Sequence, residues 1–125
     1  MMLDRISARR FAEEWIAAWN SHDLERILAH YSDDFEMATP FIAKLMNEPS
    51  GRLRGKDAVG AYWTKALARM PDLRFELIEV LVGADSLCIY YDSVLGLRAV
   101  EYLSFGPDGK ISRAAAHYNN LGSLA

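Results

Sequence analysis

The sequence has few of the residue types from which covalent scaffolds, metal centres and nucleotide sites are built. Its 125 residues include a single cysteine, Cys88, which excludes an internal disulfide and a multi-cysteine zinc site. The three histidines are scattered along the chain, and none has metal-ligand spacing with an acidic residue. The sequence also lacks a glycine-rich phosphate loop, a Gly-x-Ser-x-Gly motif and a His-Glu-x-x-His motif. We therefore expect no bound metal and no cofactor.

A strong excess of one charge and long apolar runs are absent too. The formal net charge is −3, so there is no basic excess that would favour nucleic acid or an anionic membrane as a partner. No stretch approaches the roughly 20 consecutive apolar residues of a membrane span, and the first residues lack the apolar run of a signal peptide. We expect one cytoplasmic, globular domain over residues 1–125, with neither nucleic-acid nor membrane partners.

Three segments show the apolar spacing of amphipathic helices. They are Ser7–Asn20, Asp23–Tyr31 and Lys56–Met70. Between the second and third helices, Phe35–Thr39 alternates between apolar and polar residues as a strand does. The following segment, Pro40–Gly55, is rich in proline, glycine and polar residues, and we expect it to be irregular.

The second half of the chain is predicted to be strands joined by short turns. β-Branched and aromatic residues are concentrated in Leu73–Val82, Ser86–Leu95, Leu97–Phe105 and Lys110–Tyr118, and glycine-containing turns separate these segments. Short connections make neighbouring strands antiparallel. The sequence thus predicts an α+β fold in which three helices pack on one face of a mostly antiparallel sheet.

The register of this sheet predicts which side chains share a face. If Leu95-Gly96 is a two-residue turn, Tyr90 lies opposite Glu101. One face is then predicted to carry Cys88, Tyr90, Asp92, Val94, Leu97, Ala99, Glu101, Leu103, Phe105, Ala114, Ala116 and Tyr118. The other is predicted to carry Leu87, Ile89, Tyr91, Arg98, Val100, Tyr102, Ile111, Arg113, Ala115 and His117.

The face that includes Tyr90 is the better candidate to meet the helices, because it mixes large aromatic residues with small alanines and so leaves room for a cavity. We expect Glu101, in the middle of its strand, to point into that apolar space. Burial raises the pKa of a carboxyl group, which makes it a general base or a protonated hydrogen-bond donor. Asp92 is close to the end of its hairpin, where we expect it to lie solvated at the rim.

The opposite face is also too apolar to be left to water. Three helices can cover only one side of the sheet. We expect the other side to bind a second copy of the chain, forming a twofold homodimer. The alternative is that Pro40–Arg54 folds over this face.

Four segments resemble the nuclear transport factor 2-like superfamily, which includes SnoaL-like polyketide cyclases and steroid Δ5-isomerases. They are Phe11–Leu24 (FAEEWIAAWNSHDL), Tyr31–Pro40 (YSDDFEMATP), Gly55–Trp63 (GKDAVGAYW) and Gly109–Arg113 (GKISR). The resemblance covers nearly the whole chain. It implies a cone-shaped α+β barrel, with the helices packed in the concave face of a curved sheet around a deep pocket. It also implies dimerisation through the outer face of the sheet.

The resemblance to the steroid isomerases can be followed at three positions. Their base carboxylate directly precedes the proline after the first strand, where this chain has Thr39, and threonine is not a base near neutral pH. Their tyrosine donor corresponds to Trp15, which can donate only through its indole N–H. Their protonated acid corresponds to Glu101. Because one role of three is retained, we do not expect steroid isomerase chemistry as such.

The predicted site combines one acid with aromatic and polar neighbours. Glu101 is the candidate catalytic residue, as proton donor or acceptor for isomerisation, cyclisation, dehydration or hydration of an apolar carbonyl or hydroxyl compound. The alternatives are a pocket that binds a small apolar ligand without catalysis, and a module that serves only dimerisation or partner binding. The candidate substrate-binding residues are Trp15, Trp19, Tyr31, Thr39, Tyr62, Tyr90, Asp92 and Tyr118.

Overall fold

The computed structural model describes residues 4–121. This part of the chain contains four α-helices and six strands, of which the first two lie between helices and the last four follow one another. The elements are α1 (Arg5–Ser21), α2 (Leu24–Leu28), β1 (Tyr31–Ala38), α3 (Pro40–Leu45), β2 (Arg52–Arg54), α4 (Lys56–Arg69), β3 (Glu76–Val82), β4 (Ser86–Asp92), β5 (Arg98–Phe105) and β6 (Ile111–Tyr118).

The strands form a single curved, unclosed sheet in the order β2-β1-β6-β5-β4-β3. Neighbouring strands are antiparallel except β1 and β6, which are parallel. Buried residues of α1 and α4 share one continuous apolar core with the inner face of the sheet. The predicted α+β class and the mostly antiparallel, cone-shaped sheet are confirmed. None of the helices in residues 4–121 combines the length and apolar content that a membrane crossing needs.

Helix α1 forms where the apolar spacing predicts it. The Asp4 side chain accepts a hydrogen bond from the Ser7 backbone N–H at 2.7 Å and satisfies one of the free amides at the helix start. The helix ends at Ser21, and the residue that caps it, His22, has a left-handed φ of 60°. Its buried stripe, at i, i+4, i+7 and i+11, consists of Ala8, Ala12, Trp15 and Trp19.

The second predicted helix is shorter than expected. It ends at Leu28, and Tyr31 begins β1 instead of continuing the helix. The helical spacing of Tyr31 is outweighed by strand pairing, because β1 runs beside β6 with Tyr31 opposite Ile111. Tyr31 is still buried, with 1% of its surface exposed, but it enters the core from the sheet.

The expected irregular segment contains two regular elements. Helix α3 begins at Pro40, a position that tolerates proline because the missing N–H has no helical partner there. Thr39 caps this helix through its side chain, which accepts from the Phe41 N–H at 3.3 Å. Strand β2 extends the sheet by pairing with β1. The prediction of three helices is therefore one short.

The connection between β4 and β5 corrects the predicted register. It spans Ser93–Leu97, five residues instead of two, and Leu95 in its short 3-10 turn has a left-handed φ of 58°. The loop is longer than predicted by an odd number of residues. Relative to β5, every β4 side chain therefore lies on the face opposite to the predicted one. Tyr90 consequently lies opposite Val100, and Tyr91 lies opposite Ala99.

The predicted faces of β4 are therefore wrong, whereas those of β5 are right. Cys88, Tyr90 and Asp92 point away from the helices, and their positions on the inner face are taken by Leu87, Ile89 and Tyr91. On β5, Ala99, Glu101, Leu103 and Phe105 are buried as predicted.

Strand β6 keeps its predicted faces despite a shift of its partners. Glu101 lies opposite Ala116, two residues from the predicted Ala114, so the alternation is unchanged. His117 is exposed on the outer face, as predicted. Ile111 is the exception, because an irregularity beside Ser104 in this strand pair places it in the core.

Candidate functional site

A cavity of about 60 Å³ lies between the helices and the inner face of the sheet. Its walls are aromatic and aliphatic, and Glu101 is the one acidic side chain among them. The lining residues are Trp15, Trp19, Met37, Phe41, Leu45, Tyr62, Trp63, Ala66, Met70, Leu73, Phe75, Tyr91, Ser93, Val94, Glu101, Ala116 and Tyr118. The inner cavity therefore presents a single carboxyl group to an apolar space.

Glu101 reaches this space because β5 alternates and its neighbours are small. Its side chain is 3% exposed, and Ala116 lies opposite it on β6. The Tyr91 hydroxyl donates a hydrogen bond to Glu101 Oε1 at 3.0 Å. Within residues 4–121, the second oxygen, Oε2, has no hydrogen-bond partner in the protein. One carboxyl oxygen is thus held by the protein, and the other is available to a ligand.

Burial determines the protonation of this carboxyl group. Desolvation raises the pKa of Glu101 from 4.5 to about 7, and the hydrogen bond from Tyr91 opposes part of this rise. A carboxyl group with a pKa near 7 is present in both protonation states at neutral pH. It can therefore release or accept a proton under the same conditions.

Four tyrosines surround this acid, and all of them remain protonated at neutral pH. Desolvation raises the pKa of Tyr31, Tyr62, Tyr91 and Tyr118, and the nearby negative charge of Glu101 raises each further. The hydroxyl groups of Tyr62 and Tyr118, which line the cavity, can donate hydrogen bonds to a ligand, and none of the four serves as a base. Glu101 is thus the group of the cavity wall whose pKa is brought close to neutral pH.

The two tryptophans of α1 form part of the cavity wall. Trp15 donates its indole N–H to the Tyr31 hydroxyl at 2.9 Å, which fixes both rings. Its ring stacks on Phe75 with centroids 5.9 Å apart and an interplanar angle of 18°. Trp19 packs edge-on against Trp63, and its buried indole N–H has no hydrogen-bond partner among residues 4–121.

Thr39 lies beside the site and stabilises the local backbone. Its hydroxyl caps α3, and its backbone N–H donates to the Gly51 carbonyl at 2.9 Å. Hydrogen bonding to Thr39 acts against the rise in the pKa of Tyr62 and Tyr118. Thr39 thus adjoins the tyrosine hydroxyls from behind the cavity wall.

The structure brings together five of the nine predicted site residues. Trp15, Trp19, Tyr62, Glu101 and Tyr118 line the inner cavity. Tyr31 and Thr39 are buried next to these residues but do not line it.

The remaining two predicted residues were assigned to the wrong face of β4, although Asp92 is solvated as expected. Tyr90 and Asp92 lie on the outer face, where Asp92 Oδ1 accepts from Arg98 Nε at 3.3 Å. The residue that sequence reasoning missed is Tyr91. The alternation of β4 was the only sequence feature that could have indicated Tyr91. Alternation leaves two possible sets of inward-facing residues, and the length of the following loop determines which set faces inward.

The described residues offer no grouping for a metal. No cluster of three or more histidine, cysteine, aspartate or glutamate side chains within residues 4–121 could hold an ion. Burial raises the pKa of the Cys88 thiol, which disfavours the reactive thiolate.

Comparison with known proteins agrees with the fold. A family model of the SnoaL-like domain matches residues 12–114. A SnoaL-like protein of unknown function from Burkholderia thailandensis is 50% identical, with 96% of this chain and 100% of that chain covered and a TM-score of 0.92. No protein with a curated function matches the sequence.

Two more distant structures show the same fold. AclR from Streptomyces galilaeus, a candidate hydroxylase, is 21% identical, with 97% of this chain and 80% of that chain covered and a TM-score of 0.71. A candidate ketosteroid isomerase from Kribbella flavida is 19% identical, with 94% and 87% covered and a TM-score of 0.69. The superfamily resemblance seen in the sequence is confirmed.

Proposed function

Because the chain belongs to the SnoaL-like domain family, we propose that it binds a small, mostly apolar molecule beside Glu101 and exchanges a proton with it. The reaction would be an isomerisation, cyclisation, dehydration or hydration of a hydrophobic carbonyl or hydroxyl compound. The observation that carries this proposal is a single buried carboxyl group in a mostly apolar cavity wall, whose second oxygen has no hydrogen-bond partner within residues 4–121.

The geometry supports a division of roles within the site. Ionised Glu101 would remove a proton from a carbon next to a carbonyl group, and the acid formed would return the proton at another position. Tyr62 or Tyr118 would donate a hydrogen bond to the carbonyl oxygen, where negative charge develops. Since both hydroxyl groups remain protonated at neutral pH, they suit this donor role.

The size of the cavity sets a condition on binding. A volume of about 60 Å³ holds only a few water molecules, whereas small-molecule pockets measure about 300 Å³ or more. A larger ligand must therefore displace wall side chains. Leu45 of α3 and Met70 after α4 are partly buried, and methionine adapts its shape easily. We propose that these side chains move when a ligand enters.

The same site also supports a second function, in which a ligand is bound without catalysis. The hydroxyl of Tyr91 satisfies one oxygen of Glu101, as it would if the pair served only to orient a ligand. Among the residues that the structure describes, the cavity lining provides no second carboxyl group to share the proton transfers. Under this alternative, Glu101 acts as a hydrogen-bond partner and never transfers a proton to the ligand.

An exchange experiment separates the two functions. Phenylacetone is a small, apolar ketone whose α-protons exchange with D2O once a base removes them, and NMR follows the loss of their signal. We expect the protein to accelerate this exchange and Glu101→Gln to lower the acceleration by about a hundredfold or more. Glu76→Gln, the same substitution at an exposed position of β3, is the matched control and should leave the rate unchanged.

Tryptophan fluorescence completes this test, because Trp15, Trp19 and Trp63 line the cavity. Binding of the ketone without any exchange above buffer would reject the catalytic role and support the non-catalytic alternative. Exchange that survives in Glu101→Gln would reject Glu101 as the proton-transferring group.

We also propose that the chain forms a homodimer through the outer face of the sheet. Two rows cross this face in register, Cys88–Tyr102–Ala115 and Tyr90–Val100–His117, and most of their side chains are apolar or aromatic. Helix α3 does not cover them, because its Phe41 and Leu45 line the inner cavity. A second copy would bury these rows against its own.

Sedimentation velocity at micromolar concentration tests the dimer. We expect the wild-type chain to sediment as a dimer and Tyr102→Glu, which places a charge in the centre of the outer face, to sediment as a monomer. A monomeric wild-type chain at these concentrations would reject the interface.

A further inference from the structure

A second cavity of about 330 Å³ adjoins the inner cavity at the end of α4, and we call it the outer groove. It is lined by Arg69, Met70, Pro71, Asp72, Leu73, Arg74, Ser93, Val94 and Leu95. Four of these residues, Met70, Leu73, Ser93 and Val94, also line the inner cavity. The outer groove and the cavity that contains Glu101 therefore share part of their wall.

The outer groove carries two cationic side chains without partners. Arg69 and Arg74 are exposed, and neither makes a hydrogen bond or an ion pair with the protein within residues 4–121. Arg52 and Arg98, in contrast, each pair with a carboxylate on the sheet. One carboxylate, Asp72, also lines the groove, so its formal charge is +1 on a chain whose net charge is −3.

Apart from Ser93, the rest of the outer groove is apolar. Leu95 is 62% exposed and is held there by a left-handed backbone conformation that leucine rarely adopts. Met70 and Val94 continue the apolar surface into the wall of the inner cavity. A groove with apolar walls and two guanidinium groups suits a molecule that is apolar along its length and anionic at one end.

We propose that the ligand of this site carries a carboxylate, which Arg69 and Arg74 bind in the outer groove while its apolar body reaches past Met70 to Glu101. The inference rests on the proposed function and narrows its substrate to apolar carbonyl compounds with an acidic end. Arginine suits this role because its planar guanidinium matches the two oxygens of a carboxylate. The orientation follows from charge, since a carboxylate in the inner cavity would oppose ionisation of Glu101.

A matched pair of probes tests this orientation. Phenylbutyrate and phenylbutyramide have nearly the same shape, but only the first is charged. Their binding is measured by the fluorescence of Trp15, Trp19 and Trp63. We expect the wild-type protein to bind phenylbutyrate about tenfold more tightly at low salt, and less selectively at high salt, because ions screen exposed charges.

Variants of the outer groove locate the effect. The double variant Arg69→Ala/Arg74→Ala should bind both probes equally, with less than about a twofold change for phenylbutyramide. Asp72→Asn removes the opposing carboxylate and should strengthen binding of phenylbutyrate alone. Arg10→Ala, which removes a positive charge from α1 outside the groove, is the control and should leave the selectivity unchanged.

The outcomes separate this inference from the proposed function. Equal binding of both probes by the wild-type protein, or a preference that survives in the double variant, would overturn the carboxylate site and leave the inner cavity as the binding site. Failure of both probes to bind would overturn the carboxylate site and the proposed pocket together.

Discussion

The most direct test of the site is the pH dependence of stability in Glu101→Gln. Glutamine keeps the shape of the side chain and an oxygen that can accept the hydrogen bond from Tyr91, but it cannot ionise. Comparing the two proteins therefore isolates the free energy of placing a carboxylate in the apolar interior. The burial of Glu101, at 3% exposure, makes this free energy large.

The magnitude and the sign follow from the raised pKa. In the unfolded chain Glu101 loses its proton near pH 4.5, whereas in the folded protein it does so near pH 7. Between these values the folded state holds a proton that the unfolded state has released, so stability falls as pH rises. One pKa unit corresponds to about 1.4 kcal/mol, so the loss is roughly 3 kcal/mol.

Glu101→Gln lacks this loss, and the difference between the two proteins is the quantity to measure. The free energy of unfolding is obtained from urea titrations followed by tryptophan fluorescence, at several values from about pH 4.5 to pH 8. Subtraction removes the contributions of the other titrating groups. Protein concentration is held constant because dimerisation would also change the apparent stability.

We expect the stability of Glu101→Gln relative to wild type to increase by roughly 3 kcal/mol over this range. Glu76→Gln, at an exposed position, should show almost no such change. A difference that is independent of pH would mean that burial does not perturb Glu101. A difference that decreases with pH would mean that the folded protein stabilises the carboxylate, and either result would refute the reasoning behind the proton-transfer site.

Three further predictions concern the residues around the site. Tyr91→Phe removes the donor to Oε1, and carbon-13 NMR should show the pKa of Glu101 rising above its wild-type value, with about 1–2 kcal/mol of stability lost in urea unfolding. Asn20→Ala removes both side-chain hydrogen bonds to the backbone of Phe75, at 2.7 and 2.9 Å, and should cost about 1–3 kcal/mol by the same assay. Leu95→Asn should raise the unfolding free energy by about 0.5–1 kcal/mol, because asparagine tolerates the left-handed conformation better than leucine.

Periodicity in the sequence was enough to predict the helical layer and the sheet. The apolar stripe of α1 recurs at helical spacing, and the strands from β3 to β6 are marked by glycine-containing breaks. These signals are local, because each depends on side chains within one element. They predicted the fold class and the inward direction of Glu101, since the residues before and after it on β5 alternate clearly.

Signals that depend on a connection were less informative. Leu95-Gly96 resembles a two-residue turn, but the turn has five residues, with leucine in a conformation that it rarely adopts. No propensity rule predicts that choice, and it decides whether Tyr90 or Tyr91 faces inward. Because the two residues are identical and adjacent, composition could not distinguish them either.

Other features of the structure had a signal in the sequence, but neighbouring residues favoured a different interpretation. The Thr39-Pro40 pair is a typical helix start, with a capping side chain followed by proline at the first helical position. The glycines and proline that follow made the segment look irregular. Tyr31 fitted the spacing of a helix, and its place in β1 depends on parallel pairing with β6, at the other end of the chain.

The error in β4 left the chemistry of the site almost unchanged, because the acid belongs to β5. A register shift in a neighbouring strand changes the partner of Glu101 but cannot turn Glu101 itself to the other face. A tyrosine hydroxyl was predicted beside the carboxyl group, and Tyr91 provides it instead of Tyr90. Glu101 is also the one charged residue that is buried among the core residues of the described chain, 4–121. An apolar side chain there would avoid the roughly 3 kcal/mol that the carboxylate costs above neutral pH. Departures of this kind are expected at functional sites, which gives the buried acid a reason to be present that packing does not.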